Sequence, residues 1–223
     1  MPVLYIIATP IGNLDDISPR ALETLKEADL ILCEDTRVTR KLLCHFNIDK
    51  PLESYHHHSS AEKTASILAK AQAGKKLALV SDAGTPGVSD PGNRLVGDFI
   101  RKFGEEAKIY PIPGPSAVMA AASVAGFAMD KFIFLGFPPH KNKRQKFFKE
   151  ALSSLYPVIF FESPYRIIKA LEEIKSIDCE AELVVLRELS KKFESHYRGK
   201  PGEIKQKLEA SVVKGEFVII VRR

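Results

Sequence analysis

The stretch "SDAGTPGVSDPG", Ser81–Gly92, decides how this 223-residue chain is read. It follows the apolar run "KLALV" and precedes "NRLVGDFIRKF", in which Leu95, Val96, Phe99, Ile100 and Phe103 share one helical face. The pattern is strand, loop, helix. Such connections usually take about 2 to 6 residues, and this one is longer, with three glycines, two prolines and two aspartates in twelve positions. Glycine reaches backbone angles closed to other residues and proline fixes φ, so the composition specifies one tight path that exposes N–H and C=O groups. That is how a ligand cradle is built.

Outward from this loop the same alternation repeats. "VLYIIA", "LILCED", "PLESYH" and "AKIYPI" read as strands, while "SPRALETLKEA", "TRVTRKLLCHF" and "AEKTASILAKAQAG" read as helices. Ser18 suits an N-cap with Pro19 in the first turn, Ser59 or Ser60 can cap the third helix, and Gly74 can end it. Strands alternating with helices pair in parallel, with the helices as crossovers. The loops "TPIGN" (Thr9–Asn13), "EDTR" (Glu34–Arg37), Ser81–Gly92 and "PGPSA" (Pro113–Ala117) then leave the carboxyl ends of the strands and converge on one crevice. The almost wholly apolar "SAVMAAASVAG" is expected to be a buried helix. "KFIFLGF", "NKRQKFFKEALSSL", "VIFFESP", "YRIIKALEEI", "ELVVLREL", "PGEIKQKLEA" and "GEFVIIVRR" repeat the logic. The fold class expected is α/β, with an N-terminal α/β domain over residues 1–128, a C-terminal one over 129–223, and a cofactor cleft between them.

Charge separates the halves. Residues 1–128 carry 14 Lys/Arg against 15 Asp/Glu, net −1, whereas 129–223 carry 19 against 13, net +6. Concentration of the excess in one domain is what a polyanion-binding surface needs. Apolar runs such as "FVIIV" fall far short of the roughly 18 residues of a membrane span, and no charged-then-apolar leader precedes "VLYIIA", so a cytoplasmic location is expected. Cys33, Cys44 and Cys179 lack C-x-x-C spacing and read as reduced core thiols.

The loop carries neither G-x-x-x-x-G-K-[ST] nor a strand-linked G-x-G-x-x-G. A phosphate cradle wants Lys or Arg beside its N–H groups, but this loop offers Asp82 and Asp90 and nothing basic before Arg94. Carboxylates suit a sulfonium, an ammonium or ribose hydroxyls, and S-adenosylmethionine combines those parts.

"ATPIGNLDDIS", "EDTR", "SDAGTPGVSDPG", "PIPGPSA", "GFPPHK", "ESPYR" and "RELSK" stand in one order over nearly the whole chain. Together they resemble the ribosomal RNA small subunit methyltransferase I family, a branch of the tetrapyrrole methylase superfamily with the class III methyltransferase fold. The resemblance implies S-adenosylmethionine-dependent 2'-O-methylation of a cytidine ribose in the decoding region of 16S rRNA, in the 30S subunit, by a homodimer. It places Pro10, Asp82, Ala83, Gly84, Thr85 and Val88 along the cofactor, the backbone of Ser116 and Ala117 beside the adenosine, and Phe161, Glu162 and Arg187 around the pocket.

Loss of a ribose hydroxyl proton calls for a base, and Glu34, Asp35, Glu188 and Lys191 on strand-end loops are the candidates. Asp35 or Thr36 equally suits a helix N-cap. Arg37 could fix a phosphate, and "HKNKRQKFFK" sets Lys141, Lys143, Arg144 and Lys146 near Phe147 and Phe148, a pattern that suits single-stranded RNA, although the phenylalanines equally suit a buried helix face. "YHHHSS" stands where the family reads His-x-His-Asn-Glu; a substrate-side role and plain capping both fit His56–His58, and no metal site is expected. The sequence ends at "GEFVIIVRR", where many family members continue with a helical segment, which puts RNA specificity in question. A tetrapyrrole methyltransferase and a non-catalytic ribosome-assembly factor are the alternatives.

Overall fold

A computed structural model describes every residue except His57, Pro91, Val212 and Arg223. The chain forms two compact units, Met1–Ser116 and Ala117–Arg223.

The first unit is a five-stranded parallel sheet of β1 (Val3–Ile7), β2 (Leu30–Cys33), β3 (Leu52–Ser54), β4 (Lys76–Val80) and β5 (Lys108–Ile112), in the order β3-β2-β4-β1-β5. Alternate side chains feed opposite faces, as the pleat requires. Ile7, Ile31, Ala78, Val80 and Ile112 pack with Ala21 and Leu25 of α1 (Pro19–Glu27) and Leu43 of α2 (Thr36–His45). Leu4, Leu30, Leu32, Leu77 and Leu79 pack with Ile67 and Ala71 of α3 (Ala61–Gln72) and Leu95 and Phe99 of α4 (Gly92–Phe103). The helix starts follow the sequence: Ser18 accepts from the Ala21 N–H with Pro19 in the first turn, and Ser60 accepts from the Lys63 N–H. Gly74, at φ +87, follows the last turn of α3.

The second unit opens with α5 (Ala117–Ser123), then β6 (Ile133–Phe134), α6 (Arg144–Ser153), β7 (Val158–Glu162), α7 (Ile167–Ile177), β8 (Glu182–Arg187), β9 (Ser195–Gly199), α8 (Pro201–Glu209) and β10 (Phe217–Arg222). Its sheet is mixed, in the order β6-β7-β10-β8-β9, with β10 antiparallel to both neighbours. Strand β9, "SHYRG", has no counterpart in the expected element order. It lies at the sheet edge, and its polar, half-exposed residues lack the apolar run that marks a buried strand.

The boundary falls after Ser116 rather than at residue 128 because of α5. Val118 and Ala121 pack with Ile159, Val184, Leu186, Val218 and Ile220, one face of the second sheet. The helix is buried on that side alone, since Met119 is exposed. The charge split is unaffected, because residues 117–128 contain no charged side chain. The cysteines also differ from expectation: Cys33 is buried, but Cys44 and Cys179 are exposed free thiols on polar helix and loop surface.

The other face of the second sheet is covered by α6, α7 and α8 through Phe148, Leu152, Leu171, Ile174, Ile204 and Leu208. A buried ion network locks the start of α6 to the end of β7. Glu162, whose side chain is fully buried, accepts from Arg144 Nη1 at 3.2 Å and from the Ser163 N–H at 2.8 Å, and Arg166 Nη2 lies 2.8 Å from it. Arg144 also donates to Glu173 at 2.9 Å and to the Pro139 carbonyl at 3.2 Å. Arg144 therefore does not face RNA, as its place among surface lysines had suggested; its side chain is only 4% exposed. Phe148 is buried, and Phe147, partly buried, meets Phe148 and Phe160 edge to face, so both phenylalanines pack into the core.

Removing one partner of a buried pair leaves the other charge uncompensated, which costs about 3 to 5 kcal/mol. Arg144→Ala is expected to lose stability of that order in urea unfolding, while Lys146→Ala, exposed on the same helix, stays within about 0.5 kcal/mol of the parent. Equal, small effects would overturn the network's role.

Candidate functional site

Ile7 of β1 stands level with Val80 on one side and Ile112 on the other. The chain therefore leaves the sheet at three adjacent points, and the three loops are stitched together. Thr9 and Gly84 exchange backbone hydrogen bonds of 2.9 and 3.0 Å. The Thr9 hydroxyl donates to the Ser81 carbonyl at 3.1 Å, the Ser81 hydroxyl donates to the Ala83 carbonyl at 3.2 Å, and the Thr85 hydroxyl donates to the Pro115 carbonyl at 3.1 Å. Thr9 and Ser81 were absent from the expected site; a hydroxyl at the end of each strand, both buried, was the available signal.

Gly84 has φ +84, a region that favours glycine, and a Cβ there would touch Ile11 and the Pro115 carbonyl. Its N–H and C=O are both taken by Thr9. Gly84 thus shapes the loop, and its backbone is not offered to a ligand as the composition suggested. Asp82, Ala83 and Val88 are exposed, Thr85 and Ser116 half-buried and Pro10 buried. Farther along, the Asp90 carboxylate accepts from the N–H groups of Gly87 at 2.6 Å and Gly92 at 2.8 Å and so holds the entrance to α4. Pro91 lies outside the described residues.

The carboxylates of this edge differ sharply. Asp35 is the N-cap of α2, accepting from the Arg37 N–H at 2.8 Å and from the Arg37 guanidinium at 2.7 to 3.2 Å. The Arg37 side chain, and then its N–H, hold the Asp35 carboxyl down at about 2. The capping reading of "EDTR" is the one the geometry fulfils, and the Arg37 guanidinium, paired with Asp35, remains 87% exposed. Glu34 is the opposite case: burial, then the charges of Asp90 and Asp82, push its carboxyl up. Asp82, although exposed as a residue, is also raised, by partial desolvation of its carboxyl, despite an N–H from Asp35 at 3.1 Å. Carboxylates crowded at strand ends, with Arg37 already paired, create a local field that favours a cation.

In the second unit, Phe161 is half-buried against Phe134 and Phe137, at 5.0 and 5.3 Å between ring centroids. The Glu162 carboxylate is consumed by the ion network, which removes it from the groups able to meet a ligand. Arg187 donates to the Lys214 carbonyl at 2.6 Å. Lys191 bridges Glu188 at 3.0 Å and Glu216 at 2.9 Å. Burial alone would lower Lys191, yet these two carboxylates raise it, and Glu188 is held below its ordinary value by the Glu216 N–H and Lys191 against its own burial. Lys191 is thus a protonated cation, unsuited to taking a proton. Lys141, Lys143 and Lys146 are exposed. His56 is tied into a local turn with Ser59 and accepts from the His58 N–H, while His57 lies outside the described residues. Among the described residues no three His, Cys, Asp or Glu side chains converge to hold a metal.

Residues 3–205 match the tetrapyrrole (corrin/porphyrin) methylases. The chain belongs to that family, in its ribosomal RNA small subunit methyltransferase I branch. It is 44% identical to a protein of that name from Synechocystis over 99% of this chain and 79% of the relative, and 42% identical to one from Thermotoga maritima over 99% and 98%. A uroporphyrin-III C-methyltransferase from Thermus thermophilus, solved with S-adenyl homocysteine, shares the family fold at a TM-score of 0.63 and 17% identity, over 98% of this chain and 96% of that one.

Because the Glu34 carboxyl is raised, its ionisation opposes folding: its contribution is fully present below the ordinary glutamate value and is lost as pH rises through the raised value. Glu34→Gln is therefore expected to gain stability relative to the parent across that interval and to hold the gain at neutral pH. Urea unfolding at a series of pH values checks this, and a gain that appears only in acid would contradict the assignment.

Proposed function

We propose that this chain transfers the methyl group of S-adenosylmethionine to ribosomal RNA, at the ribose 2'-hydroxyl of a cytidine in the decoding region of 16S rRNA within the 30S subunit, in the cytoplasm and as a homodimer. The observation that carries the cofactor half is the crowding of Glu34, Asp82 and Asp90 at the carboxyl edge of the first sheet, where burial and mutual repulsion raise Glu34. A sulfonium relieves that repulsion and ribose hydroxyls can donate to carboxylates, so the residues present fit the cofactor. Pro10, Asp82, Ala83, Thr85 and Val88 would hold it, with the Ser116 and Ala117 backbone beside the adenosine; Gly84 sets the path. The acceptor half rests on relatives more than 40% identical that are named as rRNA methyltransferases and on the positive second unit.

The transfer breaks the bond from sulfur to methyl, forms one from the 2'-oxygen to methyl, and sends the hydroxyl proton to a base. A base works best when its pKa lies near the working pH. Of the four candidates Glu34 fits this best, since Asp35 sits at about 2, Glu188 is lowered, and Lys191 keeps its proton. Lys191 and Glu188 then act as a fixed charged pair.

The test uses 30S subunits from cells lacking the homologous activity, incubated with the protein and labelled cofactor and then digested with alkali. A 2'-O-methylated ribose cannot form the cyclic intermediate, so the label is expected in an alkali-resistant dinucleotide. Label in free mononucleotides would mean base methylation. Uptake by a tetrapyrrole in place of 30S would mean the alternative substrate, and no binding of S-adenosylmethionine by calorimetry would mean an assembly factor. With the label in the dinucleotide, Glu34→Gln is expected to lower turnover roughly 100-fold and Asp35→Asn far less.

A further inference from the structure

The most exposed phenylalanine and tyrosine rings among the described residues are Tyr165 at 96%, Phe193 at 67% and Phe137 at 53%. They lie far apart in sequence, yet the topology brings them to one edge. β6 and β7 are parallel, and β7 and β8 are each antiparallel to β10, so β6, β7 and β8 all run the same way. Phe217 of β10 stands level with both Glu162, the last residue of β7, and Arg187, the last of β8. The Phe161 N–H donates to the Gly136 carbonyl at 2.8 Å, which fixes the chain leaving β6 beside the end of β7. Phe137, Tyr165 and Phe193 each sit on the connection that follows one of these strand ends.

Cations share those connections. Lys141 and Lys143 follow Phe137, and Lys192 precedes Phe193 with its ammonium 5.7 Å from that ring's centre. All three are exposed and form no ion pair among the described residues. Arg166 and Lys191, by contrast, are neutralised within the unit. A single exposed ring is ordinary on a protein surface, but three at one set of strand ends, on the same connections as three exposed lysines, match what unpaired nucleic acid needs: flat faces for bases and point charges for the phosphates between them.

We propose that this edge is a base-stacking platform for unpaired RNA, with Phe137, Tyr165 and Phe193 taking bases and Lys141, Lys143 and Lys192 taking the adjoining phosphates. The assignment rests on the rRNA reading above. It differs from the pattern suggested by "HKNKRQKFFK", in which the aromatic partners would have been Phe147 and Phe148; those two rings are part of the core.

The test measures fluorescence anisotropy of a labelled unpaired oligoribonucleotide over a range of salt, with the full chain. Tyr165→Ala and Phe193→Ala are each expected to weaken binding about tenfold with no change in salt slope, and Tyr165→Phe to retain parental affinity. Replacing Lys141, Lys143 and Lys192 by Gln is expected to lower the slope by roughly 0.7 per lost phosphate contact. An oligonucleotide with abasic sites should bind the parent as weakly as it binds the alanine variants. Unchanged affinity in both alanine variants, or a change in sedimentation without loss of RNA affinity, would overturn the platform and point to contacts between protein chains. The methylation assay on 30S subunits separates this result from the wider reading: parental activity on 30S with unaltered RNA binding by the variants rejects the platform alone, whereas no parental activity rejects the reading beneath it.

Discussion

Parallel strands must all end on the same side, and that constraint organises both units. A crossover helix returns each chain to the starting edge of the sheet, so every loop that follows a strand emerges at the opposite edge. In the first unit this gathers the segments after β1, β2, β4 and β5. In the second it gathers those after β6, β7 and β8, even though β10 runs backwards between two of them. Once the edge is defined, short polar contacts finish the loops. The reciprocal bonds of Thr9 and Gly84 join two of them, and the Thr85 hydroxyl reaches a third.

Electrostatics then divides residues that look equivalent in the sequence. Glu34 and Asp35 are neighbours, but the peptide that joins them points one carboxylate into a crowded acidic space and the other into the first turn of α2 beside Arg37. The same holds for Lys143 and Arg144: the lysine stays in solvent, while the arginine turns under α6 and neutralises Glu162 and Glu173. A guanidinium presents its donors in a rigid planar fork and is more weakly hydrated than an ammonium, which suits it to a buried hub that meets two carboxylates and a carbonyl.

Alternation of apolar runs, the helix caps at Ser18 and Ser60, and the density of glycine and aspartate after β4 were local properties, so the α/β class, most of the elements, the long glycine-rich connection after β4 and the charge imbalance were legible in the sequence. Strand β9 was not, because an edge strand needs neither an apolar face nor a clean alternation. The division after Ser116 was not, because the apolar face of α5 is equally compatible with either sheet until Ile159, Val184 and Ile220 are seen beneath it. Which hydroxyls bind which carbonyls, which carboxylate rises and which falls, and which of Phe137, Phe147, Phe148, Tyr165 and Phe193 face water depend on atoms brought together from distant parts of the chain. Residue type and spacing determine what a segment can do by itself; burial and partners, which only the tertiary structure supplies, decide what its side chains are free to do.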